Sequence, residues 1–164
     1  LAFDAQVVIA RKDGQRVLPI RDFFTGVGRT ALRPGEMAVE IRFRPNPNSA
    51  FVKVGLRSAM AISVVNIAAS ADLGQDGVMK DVRIAVGAVA PTPIRADHAE
   101  GCLRGKQPDK AAIREAMDAI QMDIKPITDV RASEEYRRIV TENMLRRVVR
   151  KACGICENEE GADQ

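Results

Sequence analysis

Three groups of residues in this chain have types and spacings that could do chemistry. Cys153 and Cys156 are separated by two residues, the spacing of a redox pair or of half a zinc site. His98 is the single histidine and could act as a general base or a ligand. Gly26-Val27-Gly28 matches part of a dinucleotide-binding fingerprint.

The context of these residues favours structural explanations. A redox pair would need a strand-to-helix setting and a zinc site would need a second pair of ligands; the sequence has neither, so we interpret the cysteines as incidental thiols and expect no metal site. No motif supplies partners for His98, which we interpret as solvated or capping. Gly26-Val27-Gly28 lacks the third glycine of the fingerprint and is interpreted as a loop. Without a G-x-S-x-G or H-E-x-x-H motif, hydrolytic chemistry is not expected.

The composition indicates a cytoplasmic protein. The 164 residues contain no apolar run of the roughly 20 residues that a membrane helix needs. Three cysteines without a recognisable secretory leader favour reduced thiols. The chain opens on Leu1 rather than Met, from which we expect a partial product of a longer protein.

The first part of the chain carries β-strand patterns. Val7 to Ile9 and Val17 to Ile20 flank the turn Asp13-Gly14, which predicts a hairpin. Alternation of apolar and charged residues from Val39 to Phe43 predicts a further strand. The run Pro45-Asn46-Pro47-Asn48-Ser49 favours turns and removes backbone donors, so we place a domain boundary there.

Three further strands are predicted after this boundary. Val52, Val54 and Leu56 alternate with other residues along the first, Ser63 to Leu73 form a second that is small and apolar on both faces, and Val82 to Ala88 alternate along the third. A glycine-containing turn, Gln75-Asp76-Gly77, joins the last two strands. These patterns predict a three-stranded antiparallel sheet with one face to be covered.

Helical patterns follow. Ile113, Ala116, Met117 and Ile120 recur at helical spacing, and a shorter helix is predicted from Ala96 to Leu103. A long helix capped by Ser133 is predicted to bury the stripe Tyr136, Ile139, Val140, Met144, Val148 and Ala152. The predicted fold is therefore α+β: a sheet covered by a helical bundle over residues 51–152, preceded by a β-rich segment at 1–47 and followed by a disordered tail at 153–164.

The amino-acid sequence of these segments resembles the C-terminal part of the flavoprotein (medium) subunit of molybdenum hydroxylases, the xanthine and carbon monoxide dehydrogenase family. The likeness is carried by Lys53 to Arg57, by Ala61 to Asn66, and by Ile84 to Arg95 with Gly87 and Pro91-Thr92-Pro93. Downstream, Arg131 to Arg137 is similar to the start of the family's last helix.

The resemblance implies a subunit of an oxidoreductase. Residues 1–47 would be the C-terminal end of a truncated FAD-binding domain, and residues 51–152 the flavoprotein C-terminal domain. The main phosphate-binding loops for FAD are expected upstream of this chain, and molybdopterin and iron–sulfur clusters only in partner subunits. The implied partners are the iron–sulfur subunit and the molybdenum-binding subunit of the same complex, and the fragment alone is not expected to be active.

The resemblance also implies cofactor-binding residues but no catalytic ones. Matched to the family by position, Ile62 takes the place of an apolar residue that faces the isoalloxazine. Ala61 and Ser63 flank it, and Lys53 and Arg57 lie on the strand leading in. An aliphatic side chain packs well on a flat ring, and a nearby cation can stabilise an anionic reduced flavin or its phosphates.

Two other classes of function stay open from the sequence. One is a non-catalytic subunit-docking module that does not contact flavin. The other is a small basic protein that binds nucleic acid, for which the net charge of +3 gives slight support. Basic residues (25) barely exceed acidic ones (22) and aromatic residues for base stacking make up 4%, so nucleic acid is not an expected partner.

Overall fold

The computed structural model describes residues 1–57 and 59–155. These residues form two antiparallel sheets, a small hairpin and three α-helices. This mixed architecture confirms the predicted α+β class.

The first sheet lies near the start of the chain. The strands of this region are β1 (Gln6–Arg11), β2 (Gly14–Pro19), β3 (Phe24–Gly26), β4 (Arg29–Thr30) and β5 (Met37–Arg42), with a 3₁₀ turn at Ile20–Asp22. β1 lies between β2 and β5 and buries Val7, Val8 and Ile9, whereas every residue of β5 is exposed. The predicted hairpin and the predicted strand after it are both confirmed.

The Gly26-Val27-Gly28 segment is a tight turn rather than an extended loop. Phe24 pairs with Thr30 and Gly26 pairs with Arg29, so β3 and β4 form a short hairpin. Gly28 has a φ of 64°, which a tight turn of this kind requires. The loop prediction is therefore wrong for Gly26, which ends a strand.

The second sheet contains the three predicted strands and one more. Its strands are β6 (Ser49–Gly55), β7 (Ser63–Leu73), β8 (Met79–Gly87) and β9 (Ile94–Arg95), in the order β6-β7-β8-β9. The two-residue β9 was missed because so short a segment has no periodicity to detect. Leu56 was predicted to face inward on the first strand, but it lies beyond β6 and is 71% exposed.

Three helices cover this sheet: α1 (Asp97–Leu103), α2 (Lys110–Asp123) and α3 (Glu134–Ala152). α1 packs on β8, α3 packs on β6 and β7, and α2 packs against α1 and α3. Asp109 caps α2 by accepting from the N–H of Ala112 at 2.8 Å, and Ser133 caps α3 by accepting from the N–H of Tyr136 at 3.2 Å. One core joins both layers, and its central side chains are Val65, Ile67, Ile84, Val86, Leu103, Ile113, Ile120, Leu145 and Val148.

The buried face of α3 begins differently from the predicted stripe. Tyr136 and Ile139 are 49% and 51% exposed, so their prediction as core residues is wrong. Arg137 and Thr141 are buried in the first turns instead. The other members of the predicted stripe are buried or half-buried: Val140, Met144, Val148 and Ala152.

The start of the predicted tail closes α3. The N–H of Gly154 donates to the carbonyl of Lys151, and that of Ile155 donates to the carbonyl of Arg150. Gly154 has a φ of 73°, the left-handed conformation common where helices end. Cys156 and the acidic residues 157–164, predicted as a disordered tail, lie outside the described residues.

The N-terminal segment is tied to the second sheet by charge. The Asp4 carboxylate pairs with Arg83 at 2.8 Å and with Arg95 at 2.6 Å. Arg95 also pairs at 2.5 Å with Glu100, whose side chain is 2% exposed. Ser70 on β7 donates a hydrogen bond to the carbonyl of Ala2. The two parts of the chain therefore share an interface beside β8 and β9.

Candidate functional site

The candidate site is the loop of residues 56–62, which joins β6 to β7. Lys53 lies on β6, and Ser63 is the first residue of β7. Arg57 was expected on the strand leading in, but it lies two residues beyond the end of β6. The antiparallel pairing brings both strand ends, and hence all five predicted cofactor-binding residues, to one end of the sheet.

The loop folds back closely on the end of β6. A Cβ atom added to Gly55 would lie 2.7 Å from the Cβ atom of Ala61, closer than two carbon atoms can pack. The Arg57 guanidinium donates to the carbonyl of Met60 at 2.7 Å. Met60 has a φ of 48°, in the left-handed region that non-glycine residues rarely adopt. The loop is therefore held by its own contacts in a specific, partly strained shape.

This shape directs aliphatic side chains outward. Ile62 is 67% exposed, Leu56 is 71% exposed and Met60 is 91% exposed. Ala61 and Ser63, which flank Ile62, are half-buried. Clustered exposed aliphatic residues are unfavourable in water and usually mark a surface that another group covers.

Basic side chains lie beside two of these aliphatic ones, Leu56 and Met60, in a groove whose lining does not include Ile62 or Ser63. Lys53 and Arg57 are exposed. They line a groove of about 640 Å³ at the loop, together with Val54, Gly55, Leu56, Met60 and Ala61. The surface therefore combines aliphatic contact with positive charge.

A second groove of about 640 Å³ runs between β6 and α3. Its apolar side chains come from Val52, Val54, Val140 and Met144. Its polar side chains come from Lys53, Asn143, Arg146, Arg147 and Arg150. Lys53 and Val54 line both grooves, so the loop and the outer edge of β6 form one continuous surface.

Sequence reasoning missed an ion pair behind the loop, in which the arginine is buried and the aspartate is half-buried. Arg137 is 3% exposed and donates to the carbonyl of Val64, two residues after Ile62. It also donates to the Asp129 carboxylate at 2.8 Å. The backbone N–H of Arg131 and the Arg137 guanidinium hold the pKa of Asp129 at about 2. Arg137 and Thr141 are spaced so that they lie on one face of the helix, and this spacing could have indicated that they are buried. Only apolar residues were selected from the sequence for the buried face, so both were left out.

The other chemical candidates lie away from this loop. His98 is exposed, and its Nδ1 lies 2.7 Å from the Asp123 carboxylate, which also accepts the N–H groups of His98 and Ala99 at the start of α1. Burial raises the pKa of the Cys153 thiol to about 11, and burial with the nearby Glu115 raises that of Cys102.

The described residues, 1–57 and 59–155, contain no group of three or more His, Cys, Asp or Glu side chains arranged to hold a metal ion. No helix among them is both long and apolar enough to cross a membrane.

Comparison with known families accounts for most of the chain. Residues 50–152 match the family model described as the CO dehydrogenase flavoprotein C-terminal domain. The chain belongs to this family. Residues 1–46 match a second model, the FAD binding domain in molybdopterin dehydrogenase. The family resemblance inferred from sequence is thereby confirmed.

Curated relatives of this flavoprotein domain are subunits of larger enzymes. A xanthine dehydrogenase FAD-binding subunit of Escherichia coli O157:H7 is 33% identical over 156 residues, covering 93% of this chain and 53% of that subunit. The carbon monoxide dehydrogenase medium chain of Hydrogenophaga pseudoflava is 29% identical over 162 residues, covering 95% of this chain and 55% of the relative. The chain thus spans about half the length of these relatives.

Solved structures of the same class have the same fold. The carbon monoxide dehydrogenase from Hydrogenophaga pseudoflava matches with a TM-score of 0.85 at 31% identity, covering 94% of this chain and 54% of its own. Quinoline 2-oxidoreductase from Pseudomonas putida 86 matches with a TM-score of 0.84 at 28% identity, with the same coverage.

Proposed function

We propose that this chain works as the C-terminal half of the FAD-binding medium subunit of a molybdenum hydroxylase, and that its 56–62 loop covers the flavin. One observation carries the proposal: the exposed aliphatic side chains of this loop lie at the same end of the sheet as two basic side chains, Lys53 on β6 and Arg57 on the loop. The relatives named as FAD-binding subunits support FAD as the group that covers them.

The residues of the loop fit part of this cofactor. Ile62 offers an aliphatic surface to a flat ring. Its neighbours Ala61 and Ser63 are half-buried and hold the backbone on either side of it. Lys53 and Arg57 supply positive charge for phosphates or for a negatively charged ring. Covering the ring would also keep water away from it. Bound FAD supplies the capacity to accept and pass on electrons, and in the described residues this chain's part is to bind, orient and shield it.

The partners follow from the same proposal. A medium subunit of this class would receive electrons from an iron–sulfur subunit, while molybdopterin would lie in a third subunit of a cytoplasmic complex. The iron–sulfur clusters and the molybdopterin would be held by residues of those partner subunits. Residues 1–47 would be the end of the FAD-binding domain, and residues 51–152 a separate domain that closes over the flavin from the other side.

Flavin retention tests the loop directly. In a subunit of the relatives' length that ends in this sequence, Ile62→Ala removes aliphatic contact worth about 1–2 kcal/mol. We expect the Kd for FAD to rise roughly tenfold. The matched control is Ile127→Ala, because Ile127 is 71% exposed in the segment between α2 and α3. The measurement is flavin absorbance retained after desalting across a range of FAD concentrations.

The outcomes separate the proposal from a docking module. Loss of affinity in Ile62→Ala with a normal Ile127→Ala variant supports flavin contact. Equal affinity in both variants would overturn it and favour a domain that only holds subunits together. The 164-residue chain should retain no FAD by itself, since the proposal places the main phosphate-binding loops upstream.

A further inference from the structure

The strand that follows the candidate loop is irregular at its first residues. Across β6 and β7, Val54 lies opposite Val65 and Gly55 lies opposite Ser63, so Val64 is an extra residue in β7. Such a bulge takes one residue out of the ladder and redirects the side chains beside it. Here the side chains beside the bulge are those of Ile62 and Ser63, directly before Val64 in the chain.

The bulge is held from the helical layer. The Nη1 atom of Arg137 donates both to the carbonyl of Val64 and to the carbonyl of Ala88, at 2.8 Å for the latter. Its Nη2 atom donates to the Asp129 carboxylate at 2.8 Å. One buried guanidinium therefore joins the start of β7, the chain just after β8 and the segment before α3.

This arrangement is kept although it costs free energy at two places. Ala88 has a φ of 65°, a conformation that its Cβ atom disfavours. The Nε atom of Arg137 is buried without a hydrogen-bond partner among the described residues. A buried charge and a strained backbone that persist together are more often found at functional sites than elsewhere.

We infer that Arg137 is a positioning residue for the flavin loop: by holding the Val64 bulge, it sets the direction in which Ile62 and Ser63 face. This inference rests on the proposed function of the loop. Arg137 itself does not contact the flavin, since its side chain is buried between α3 and the sheet.

The geometry requires arginine rather than any cation. The planar guanidinium presents several donors in fixed directions and reaches two carbonyls and a carboxylate at once. A lysine ammonium is a compact point charge that cannot reproduce this fork. Arg137→Lys therefore keeps the charge and removes the positioning.

Hydrogen–deuterium exchange of the 164-residue chain tests the positioning without flavin. In Arg137→Lys we expect exchange of the amides in residues 61–65 and 88–89 to rise about tenfold or more, while the amides of α2 keep their protection. The matched control is Arg138→Lys, because Arg138 is partly exposed and pairs with Glu134 in the same helical turn. A uniform rise along the chain, or no rise at all, would overturn the inference.

Flavin spectroscopy in the longer subunit provides the functional readout. We expect Arg137→Lys to shift the absorbance of bound FAD and to raise its Kd about tenfold, while Arg138→Lys changes neither. If Ile62→Ala weakens FAD binding and Arg137→Lys changes neither the exchange nor the spectrum, the positioning role fails and the proposed function stands. If Ile62→Ala has no effect on FAD, the proposed function fails, and a local rise in exchange in Arg137→Lys would still leave Arg137 as the residue that holds the bulge.

Should Arg137→Lys fail to fold, Asp129→Asn takes its place. This variant keeps Arg137 and removes the charge that orients its Nη2 atom. The same local rise in exchange is expected, and protection equal to that of the unmodified chain would count against the inference.

Discussion

At the scale of single residues, Gly55 decides what the candidate loop can present. The loop returns so closely over the end of β6 that Ala61 occupies the space where a side chain at position 55 would lie. Small residues at both positions let Ile62 stand outward instead of being lifted away from the sheet. The role of Gly55 and Ala61 is steric: both are small enough for the close contact, and neither needs a functional group on its side chain.

Replacing Gly55 tests this close approach. Gly55→Ala would place two Cβ atoms 2.7 Å apart, so the loop must shift. We expect a loss of stability of about 1–3 kcal/mol, together with weaker FAD binding in the longer subunit. The measurements are urea unfolding and flavin retention.

The matched control for this substitution is Gly101→Ala. A Cβ atom at Gly101 in α1 meets no atom within 4 Å, and alanine favours the helix by roughly 0.5–1 kcal/mol. A Gly55→Ala variant as stable as the Gly101→Ala variant would show that the loop has room to spare.

At the scale of elements, the segment before α3 is fixed by one carboxylate. Asp129 accepts the N–H groups of Arg131 and Ala132 and the Arg137 guanidinium. Ser133 then caps the helix that carries Arg137. The loop, the cap and the buried arginine therefore form one unit that ties α3 to β7.

Acid should loosen this unit. The pKa of Asp129 is lowered from 3.8 to about 2, mainly by the N–H of Arg131 and also by Arg137. A depressed pKa stabilises the fold above the unfolded value, and this contribution is lost as the pH falls from about 4 to about 2. Tyr136 is the single tyrosine in the chain and lies beside Arg137, so its fluorescence reports on this region during an acid titration.

The Asp129→Asn variant should lose less stability than the unmodified chain over that pH range. Glu36, whose pKa is also about 2 through Arg16 and the N–H of Arg33, titrates in the same range but lies in the first sheet region. Glu36→Gln is therefore the control, and it should leave the transition reported by Tyr136 unchanged. Identical acid transitions in the Asp129→Asn variant and the unmodified chain would contradict the assignment.

At the scale of the whole molecule, the two sheets differ in how completely they are covered. The second sheet is covered by three helices, whereas β5 of the first sheet is exposed along its whole length and pairs only with β1 among the described strands. Its exposed apolar side chains include Met37, Val39 and Ile41. An apolar edge strand of this kind can pair with another chain.

We therefore expect the 164-residue chain to self-associate through β5 as its concentration rises. Ile41→Lys places a charge on the edge, and it should shift the sedimentation coefficient measured in sedimentation velocity towards that of the monomer. Ile127→Lys adds the same charge at a distant exposed site and serves as the control. A chain that is monomeric without substitution, or equal effects of both variants, would show that β5 is not the contact.

The sequence by itself determined the longer strands, the helices and the family. Alternation along β6 and β8, the small apolar run of β7, the turn at Gly77 and the cap at Ser133 are local patterns, and each depends on residues close together in the chain. Segments that resemble the flavoprotein family occur along the chain in the same order as in that family, and this resemblance identified the flavoprotein domain. The candidate residues also came from that likeness, and their contact with FAD stays a prediction.

Only the tertiary structure decided which residues hold those elements together. The sequence could not predict Arg137 as a core residue, because a charged side chain is buried only where hydrogen-bond acceptors surround it. Its acceptors come from Val64, Ala88 and Asp129, which are far apart in the sequence. The contact between Gly55 and Ala61 and the extra residue in β7 likewise depend on how two strands pair. Periodicity reports which face a residue takes within its own element, whereas burial of charge and strand register are set by neighbouring elements.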